Sequence, residues 1–321
     1  MHLAYLILAH DQPAHLREMI ARLITPDSQF YVHIDRKSRL EDFQLPVDPR
    51  IHVMQDRVRV FWGDYSQVEA ILRLMRAALS NPGLTPARLV LLSGADYPVR
   101  SNAEIHAHFR AHDDQEFIDL VKMPSIERSK PLSLLTTYQP RNTALPLINR
   151  LLQVAQRVGL LPQQRDYVPV LGGLQPYAGS TWWALSRGAA AHVIDFLDSH
   201  PDYAEFFRHT VCPDESCIHT ILGNSSYATG IRPCLTYTDW STHRHRPEPL
   251  TLAHAEFLTH APARMPNNAY PDALAFLFAR KFVPESRELL RLLNAVLDGE
   301  SATPQRSAPQ HVAVPVPVMQ D

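Results

Sequence analysis

Leu3-Ala4-Tyr5-Leu6-Ile7-Leu8-Ala9 opens an alternation that decides the fold. Seven unbroken apolar residues fall far short of the roughly 20 that a membrane-spanning helix needs, and they read as a buried strand. Neither a charged leader region nor a cleavage site goes with them, so no targeting segment is expected. Pro13–Ile24 follows with apolar residues at Leu16, Ile20, Leu23 and Ile24, the spacing of one helix face. Gln29–Ile34 is strand-like again and runs into His33-Ile34-Asp35. A buried strand, a helix and a second strand make a βαβ unit, which implies a parallel pair.

The alternation continues outward from this unit. Ile51–Met54 reads as a short strand. Tyr65–Leu79 is the strongest helix, with Val68, Ile71, Leu72, Met75 and Leu79 on one stripe. Arg88–Leu92 is a buried strand ending in Ser93-Gly94-Ala95-Asp96-Tyr97-Pro98. Ser101 or Asn102 caps the next helix, with Glu104 in its first turn, and Glu116–Val121 closes the series as a strand. The fold class is therefore α/β, with a mostly parallel central sheet flanked by helices. Ligands of such sheets bind outside the carboxyl ends of the strands. That rule places His10-Asp11, Asp35-Arg36-Lys37, Trp62-Gly63-Asp64 and Ser93–Asp96 along one rim.

Residues 122–177 lose the alternation and contain several prolines, so loops are expected, with a helix near Leu147–Val158. Gly179–Leu185 reads as a strand with Trp182 and Trp183, and Ala189–Leu197 as a helix. Tyr227–Trp240 reads as one or two strands, and Ala273–Leu297 as helical in two parts broken by Pro284. The Pro-, Gln- and Val-rich end, residues 301–321, has the composition of a disordered tail.

Composition removes several function classes. The chain has 321 residues, 31 Lys and Arg against 33 Asp and Glu, and a net charge of −2. No basic stripe marks a nucleic-acid partner. No amphipathic basic helix stands out as a membrane face, although peripheral association with a membrane stays open. The three cysteines, Cys212, Cys217 and Cys234, fit neither a disulfide framework nor a zinc-knuckle spacing, and all are expected reduced. A cytoplasmic protein is the expectation.

Pro213-Asp214-Glu215 carries the most pointed chemistry. Pro213 has a fixed φ that suits a helix entry, and carboxylates in a first turn are favoured by the helix dipole. Glu215 at a cleft could instead take a proton from a substrate. Gly-x-Gly-x-x-Gly, Walker and Gly-x-Ser-x-Gly signatures are all missing, which argues against a dinucleotide site, a P-loop and a hydrolase elbow. His33-Ile34-Asp35 reads as a polar strand end before a metal site. His243-Arg244-His245-Arg246 could bind phosphate, hold a metal or form a solvated loop. Arg280-Lys281, between Phe278 and Phe282, suits a diphosphate, Arg as a fork and Lys as a point charge, or is a charged pair on a helix surface, the commoner fate of such residues. Trp240, beside Asp239, is either a stacking platform for a sugar ring or a core aromatic.

Taken in order, these segments resemble the core-2/I-branching β-1,6-N-acetylglucosaminyltransferase family, which includes peptide O-xylosyltransferases. The matching pieces are Ala4–His10, Phe30–Ser38, Trp62–Ser66, Leu92–Pro98, Gly179–Trp183, Pro213–Glu215, Asp239-Trp240 and Phe278–Phe282. The resemblance, to a compact bacterial-type member, implies one GT-A-like Rossmann-type domain over residues 1–300. Residues 1–121 would be its nucleotide-binding half and 122–300 its acceptor and catalytic half. It implies a UDP-sugar donor, N-acetylglucosamine before xylose, a carbohydrate or glycoconjugate acceptor, inversion at the anomeric carbon, and no cofactor or metal.

Carried over by motif, Glu215 is the general base. Leu8, His10, Asp35, Trp62, Ser93 and Asp96 fall on the nucleotide side, Lys281 and Arg280 on the diphosphate, and Trp240 and Trp183 on the acceptor. One departure stands out: Pro247 is followed by Glu248 where relatives carry a second phosphate-binding arginine. Arg246 or Arg244 would have to serve, and the broken register keeps a nucleotide- or carbohydrate-binding protein without turnover as the competing reading. The stretch Ala261–Pro271 is a second departure, either a loop over the donor or an insertion.

Overall fold

The computed structural model describes residues 1–81, 85–143, 145–241, 246–259 and 276–299. In chain order the first half runs β1 (Leu3–Ala9), α1 (Pro13–Leu23), β2 (Ser28–Ile34), β3 (Ile51–Val53), α2 (Tyr65–Ser80), β4 (Arg88–Ser93), β5 (Tyr97–Pro98), α3 (Asn102–Ala111), β6 (Glu116–Ile118) and β7 (Val121–Lys122). Then come α4 (Ser133–Thr136), α5 (Pro146–Arg157), α6 (Val168–Leu171), β8 (Tyr177–Ala178), β9 (Trp183–Ser186), α7 (Arg187–Ser199), α8 (Pro201–Phe207) and α9 (Cys217–Gly223). The chain closes with β10 (Ile231–Arg232), β11 (Thr236–Thr238), α10 (Ala255–Thr259), β12 (Phe278–Arg280) and α11 (Arg287–Leu297).

Two compact units form. The first comprises residues 1–94 and 102–235, the second residues 95–101 and 236–321. In the first, seven strands make one sheet in the order β10-β6-β9-β4-β1-β2-β3. β1 pairs in parallel with β2 on one side and β4 on the other, and β2 with β3. β9 runs antiparallel to both β4 and β6. This is the mostly parallel α/β sheet that the alternation predicts.

β1 is buried on both faces, as an unbroken apolar run must be in a sheet covered by helices. α2 buries Val68, Ile71, Leu74, Met75 and Ala78 in the core of the first unit. Each of the four larger side chains contributes roughly 1.5–3 kcal/mol by leaving water. Asp64 starts this helix by accepting the Ser66 amide hydrogen at 2.8 Å, satisfying one of the free N–H groups of the first turn.

The second unit holds a three-stranded sheet, β11-β12-β5. Here the expectation of helix from residue 273 is corrected: Phe278–Arg280 is a strand, parallel to β11 and antiparallel to β5. Phe276, Leu277, Phe278 and Ala279 are all buried, and an apolar run buried on every side carries no period that separates strand from helix. Pro284 does mark a boundary, and α11 follows it. Arg244, the stretch 261–271 and the tail from 301 lie outside the described residues. Among the described residues no helix is long and apolar enough to cross a membrane.

Candidate functional site

The first unit gathers a polar rim at the carboxyl ends of its parallel strands. Strand order reverses at β1, with β2 and β3 on one side and β4 on the other, which creates the crevice where such sheets bind ligands. Leu8 stands in register with His33 on β2 and with Ser93 on β4. The Asp35 amide donates to Ala9 O and the Gly94 amide to Leu8 O, each at 2.8 Å. A Cβ on Gly94 would lie 2.9 Å from Ala9 Cβ, so only glycine lets the chain leave β4 this close to β1.

Asp35 is buried and shapes the next loop. Its Oδ1 accepts the Lys37 amide at 2.8 Å and its Oδ2 faces Lys37 Nζ at 3.4 Å. Ser38 Oγ donates to His10 O at 2.6 Å, which ties the His10 segment to the same loop. Lys37 Nζ donates to Val60 O at 2.5 Å, and the Val58 amide donates to His33 Nε2 at 2.8 Å, so the chain leading to Trp62 is drawn in as well. Burial pushes His33 down to about 4 against the pull of nearby Asp35, consistent with a neutral ring accepting that bond. Trp62 itself is 79% exposed. Thus Leu8 and Ser93 at the strand ends and the loops that carry His10, Asp35 and Trp62 form one continuous rim.

A second constellation surrounds Glu215. Residues 213–215 form a single 3₁₀ turn and α9 begins only at Cys217, so the two carboxylates precede the helix. Thr181 Oγ1 and Gln67 Nε2 donate to Asp214 Oδ2 at 2.7 and 3.2 Å, and its Oδ1 is buried with no partner. Burial, reinforced by the neighbouring Glu215 carboxylate, raises Asp214 to about 6. Glu215 is turned the other way and is 32% exposed, with Lys130 Nζ 2.5 Å from its Oε2. Lys130 also donates to Gly179 O at 3.1 Å, and the Gly179 amide donates to Glu215 O at 2.8 Å.

The Gly179–Trp183 segment is thereby locked against the turn. A Cβ on Gly179 would meet Asp119 O at 2.0 Å and His219 Cδ2 at 2.8 Å. His219 Nε2 faces Ser180 O at 2.8 Å, the geometry of a neutral ring donating, and burial lowers this histidine to about 3. Because the backbone of residues 179–180 is spent on this turn, β9 starts at Trp183 rather than at Gly179. Cys212 lies beside the carboxylates, and burial and the charges of Asp214 and Glu215 push its thiol up to about 12, which disfavours the thiolate. All three cysteines are free.

In the second unit, Asp96 is fully buried and accepts from Arg280 Nε at 3.1 Å. Its carboxylate therefore orients Arg280. Lys281 O accepts the Leu250 amide at 2.9 Å, and its side chain is half-buried. Asp239 is held between the Ser241 amide at 2.8 Å and His254 Nε2 at 3.0 Å. Burial raises its carboxyl, yet those bonds outweigh it and hold the group below its ordinary value. Beside it Trp240 is 51% exposed, and Arg246 is exposed. Trp183, expected toward an acceptor, is instead buried in the core of the first unit, its strand paired with β6 at Ile118.

Lys130 is the functional candidate that sequence reasoning misses. It sits in the irregular stretch 122–177, and only its place in a carboxylate-free run marks it. Among the described residues no group of three or more His, Cys, Asp or Glu side chains is arranged to hold a metal ion.

Comparison with known proteins matches this chain to the Branch family, Core-2/I-Branching enzyme, over residues 3–261. Xylosyltransferase 2 of Rattus norvegicus is 25% identical over 229 residues, 70% of this chain and 24% of the relative. Xylosyltransferase 1 of Homo sapiens is 24% identical over 246 residues, 74% of this chain and 24% of the relative. The chain thus spans about a quarter of the length of these curated relatives. Mouse xyloside xylosyltransferase 1, apo form, aligns over 88% of this chain and 99% of its own, with 10% identity and a TM-score of 0.35. The family match runs through β1, the Asp35 loop, the Gly179 segment and the Glu215 turn alike, and the chain belongs to the core-2/I-branching enzyme family.

Proposed function

We propose that this chain is a glycosyltransferase that moves a sugar from a UDP-sugar to a hydroxyl of a carbohydrate acceptor, with inversion at the anomeric carbon. The observation that carries the reading is the division of labour in the 213–215 turn. Asp214 is buried and held through one oxygen by Thr181 and Gln67, whereas Glu215 faces outward and is oriented through one oxygen by Lys130. Glu215 Oε1 remains for an acceptor hydroxyl. As that oxygen bonds to C1 of the donor sugar, its proton passes to Glu215, the C1–O bond to the diphosphate breaks, and UDP leaves with the electron pair. The rim of Leu8, Asp35 and Ser93, with the His10 and Trp62 loops, supports a role in holding the nucleotide.

Charge developing on the leaving diphosphate needs fixed donors, and the family resemblance gives that role to Lys281 and the nearby arginines Arg280 and Arg246 in place of a divalent cation. Trp240, exposed beside the rigidly held Asp239, suits the acceptor sugar. N-acetylglucosamine is the donor sugar of the first reading. Xylose is the second, favoured by relatives that carry the name xylosyltransferase.

The test is UDP release from a panel of UDP-sugars, with and without EDTA, by the wild type and Glu215→Gln. We expect release with one donor, unaffected by EDTA and lost by at least about a hundredfold in the variant, with UDP binding retained. No release with any donor and acceptor would favour the binding-protein reading, and a strict metal requirement would overturn the role given to Lys281.

A further inference from the structure

Helix α5 is built inside out. A helix at the surface of a globular unit normally turns its apolar stripe to the core. Here Asn149, Leu152 and Gln156 are half-buried and, with the exposed Gln153, line a cavity of about 310 Å³. Gln156 Nε2 donates to Tyr138 O at 2.7 Å, and Asn149 Oδ1 accepts the Thr143 amide hydrogen at 2.7 Å. The opposite stripe, Leu147, Leu151, Val154 and Val158, recurs at steps of four, three and four residues and is 70%, 59%, 48% and 64% exposed. None of the residues of this helix is buried. A contiguous apolar patch of this kind left in water marks an interaction surface.

The charge around the stripe says what covers it. Helix α5 itself carries Arg150 and Arg157 and no carboxylate. Arg150 and Arg157 are exposed, and at 100° per residue both project to the same flank of the apolar stripe. From there their long stems can lie along the apolar surface while the guanidinium groups reach headgroups. Apolar residues on one face with arginines at its border are the pattern of a helix lying in a membrane interface.

We infer that α5 docks this chain onto an anionic bilayer surface. The helix lies in the plane of the membrane: its apolar stripe enters the headgroup boundary, and Arg150 and Arg157 pair with anionic lipids. This assigns a specific element to the peripheral membrane association that the sequence leaves open. Leu147–Val158 does read as a helix, but periodicity alone does not tell a stripe turned inward from one turned outward. The inference is independent of the donor sugar and of Glu215.

Co-sedimentation of the whole chain with vesicles of phosphatidylcholine, with and without phosphatidylglycerol, tests it. We expect binding to the anionic vesicles only, weakened by salt. Leu151→Asp with Val154→Asp, at exposed positions and with an unchanged melting temperature, should lower that binding roughly tenfold or more. Arg150→Gln with Arg157→Gln should also lower it, by roughly tenfold, while leaving the stripe intact. Equal binding to both vesicle types, or variants that bind like the wild type, would overturn the inference. So would an absence of vesicle binding together with a dimer in sedimentation velocity that the Asp variants dissolve, which would make the stripe a contact between copies of the chain.

Discussion

Lys130 Nζ lies 2.5 Å from Glu215 Oε2 while also donating to Gly179 O, so one ammonium ties the candidate base to the loop that packs beneath it. The bond is charge-assisted and fixes which carboxylate oxygen faces outward. If Glu215 is the base, Lys130 acts through it as a positioning residue. We expect Lys130→Gln to lower kcat by roughly 10- to 100-fold with little change in the donor KM, and Lys130→Arg to restore part of it. An equal fall in both variants, or an effect confined to KM, would remove Lys130 from this role.

Asp214 gives the turn a pH signature. Its value is raised to about 6 in the folded chain, first by burial and then by Glu215, from an ordinary value near 3.8. A group raised in this way adds stability that is complete below its unfolded value and fades as pH rises through its folded one. Stability should therefore decline between about pH 4 and pH 6, by on the order of 2–3 kcal/mol from this group. Urea unfolding of wild type and Asp214→Asn across that window checks the point. Parallel curves for the two proteins would rule Asp214 out as the source.

Gly179 has no room for a side chain, with Asp119 O only 2.0 Å from where a Cβ would lie. Gly179→Ala must push the segment away from the turn and break the bond from its amide to Glu215 O. We expect loss of at least about 2 kcal/mol of stability together with loss of transfer. A melting temperature equal to that of the wild type would show that the segment relaxes freely.

Arg88 is the largest fully buried side chain and serves as an internal cap. It donates to Gln115 O at 2.5 Å, to His112 O at 3.1 Å and to Asp113 O at 3.2 Å, and lies 3.6 Å from Glu116. Glu116 in turn accepts the Ser186 amide and hydroxyl at 2.6 and 2.5 Å, where α7 begins. Arg88→Met would strand a buried carboxylate and several carbonyls, at a cost of about 3–5 kcal/mol. The double variant Arg88→Met with Glu116→Gln should recover part of it in denaturant unfolding. No recovery would place the cost in the carbonyls alone.

The regular framework was legible because local pattern and tertiary role coincide there. Leu3–Ala9 is uniformly apolar and ends in a sheet covered on both faces, and the α2 stripe faces the core it was written for. The rim residues Leu8, Asp35 and Ser93 could be placed because the ends of parallel strands necessarily converge. Phe276–Ala279 was misread as helix because a fully buried run has no distinguishing period. The family match over residues 3–261 spans every quoted motif except Phe278–Phe282.

By itself, then, the sequence determined the strand and helix alternation, the mostly parallel sheet and the separation of polar loops from apolar runs. These follow from steric and hydrophobic preferences acting over a few residues. Only the tertiary structure decided what each polar group does. It spent Asp214 on Thr181 and Gln67 and left Glu215 outward with Lys130, 85 residues away in the chain. It buried Asp96 against Arg280, sank Trp183 into the core, and turned the apolar stripe of α5 to the outside. A side chain's role is set by the partners and solvent that meet it, and those come from segments distant in sequence.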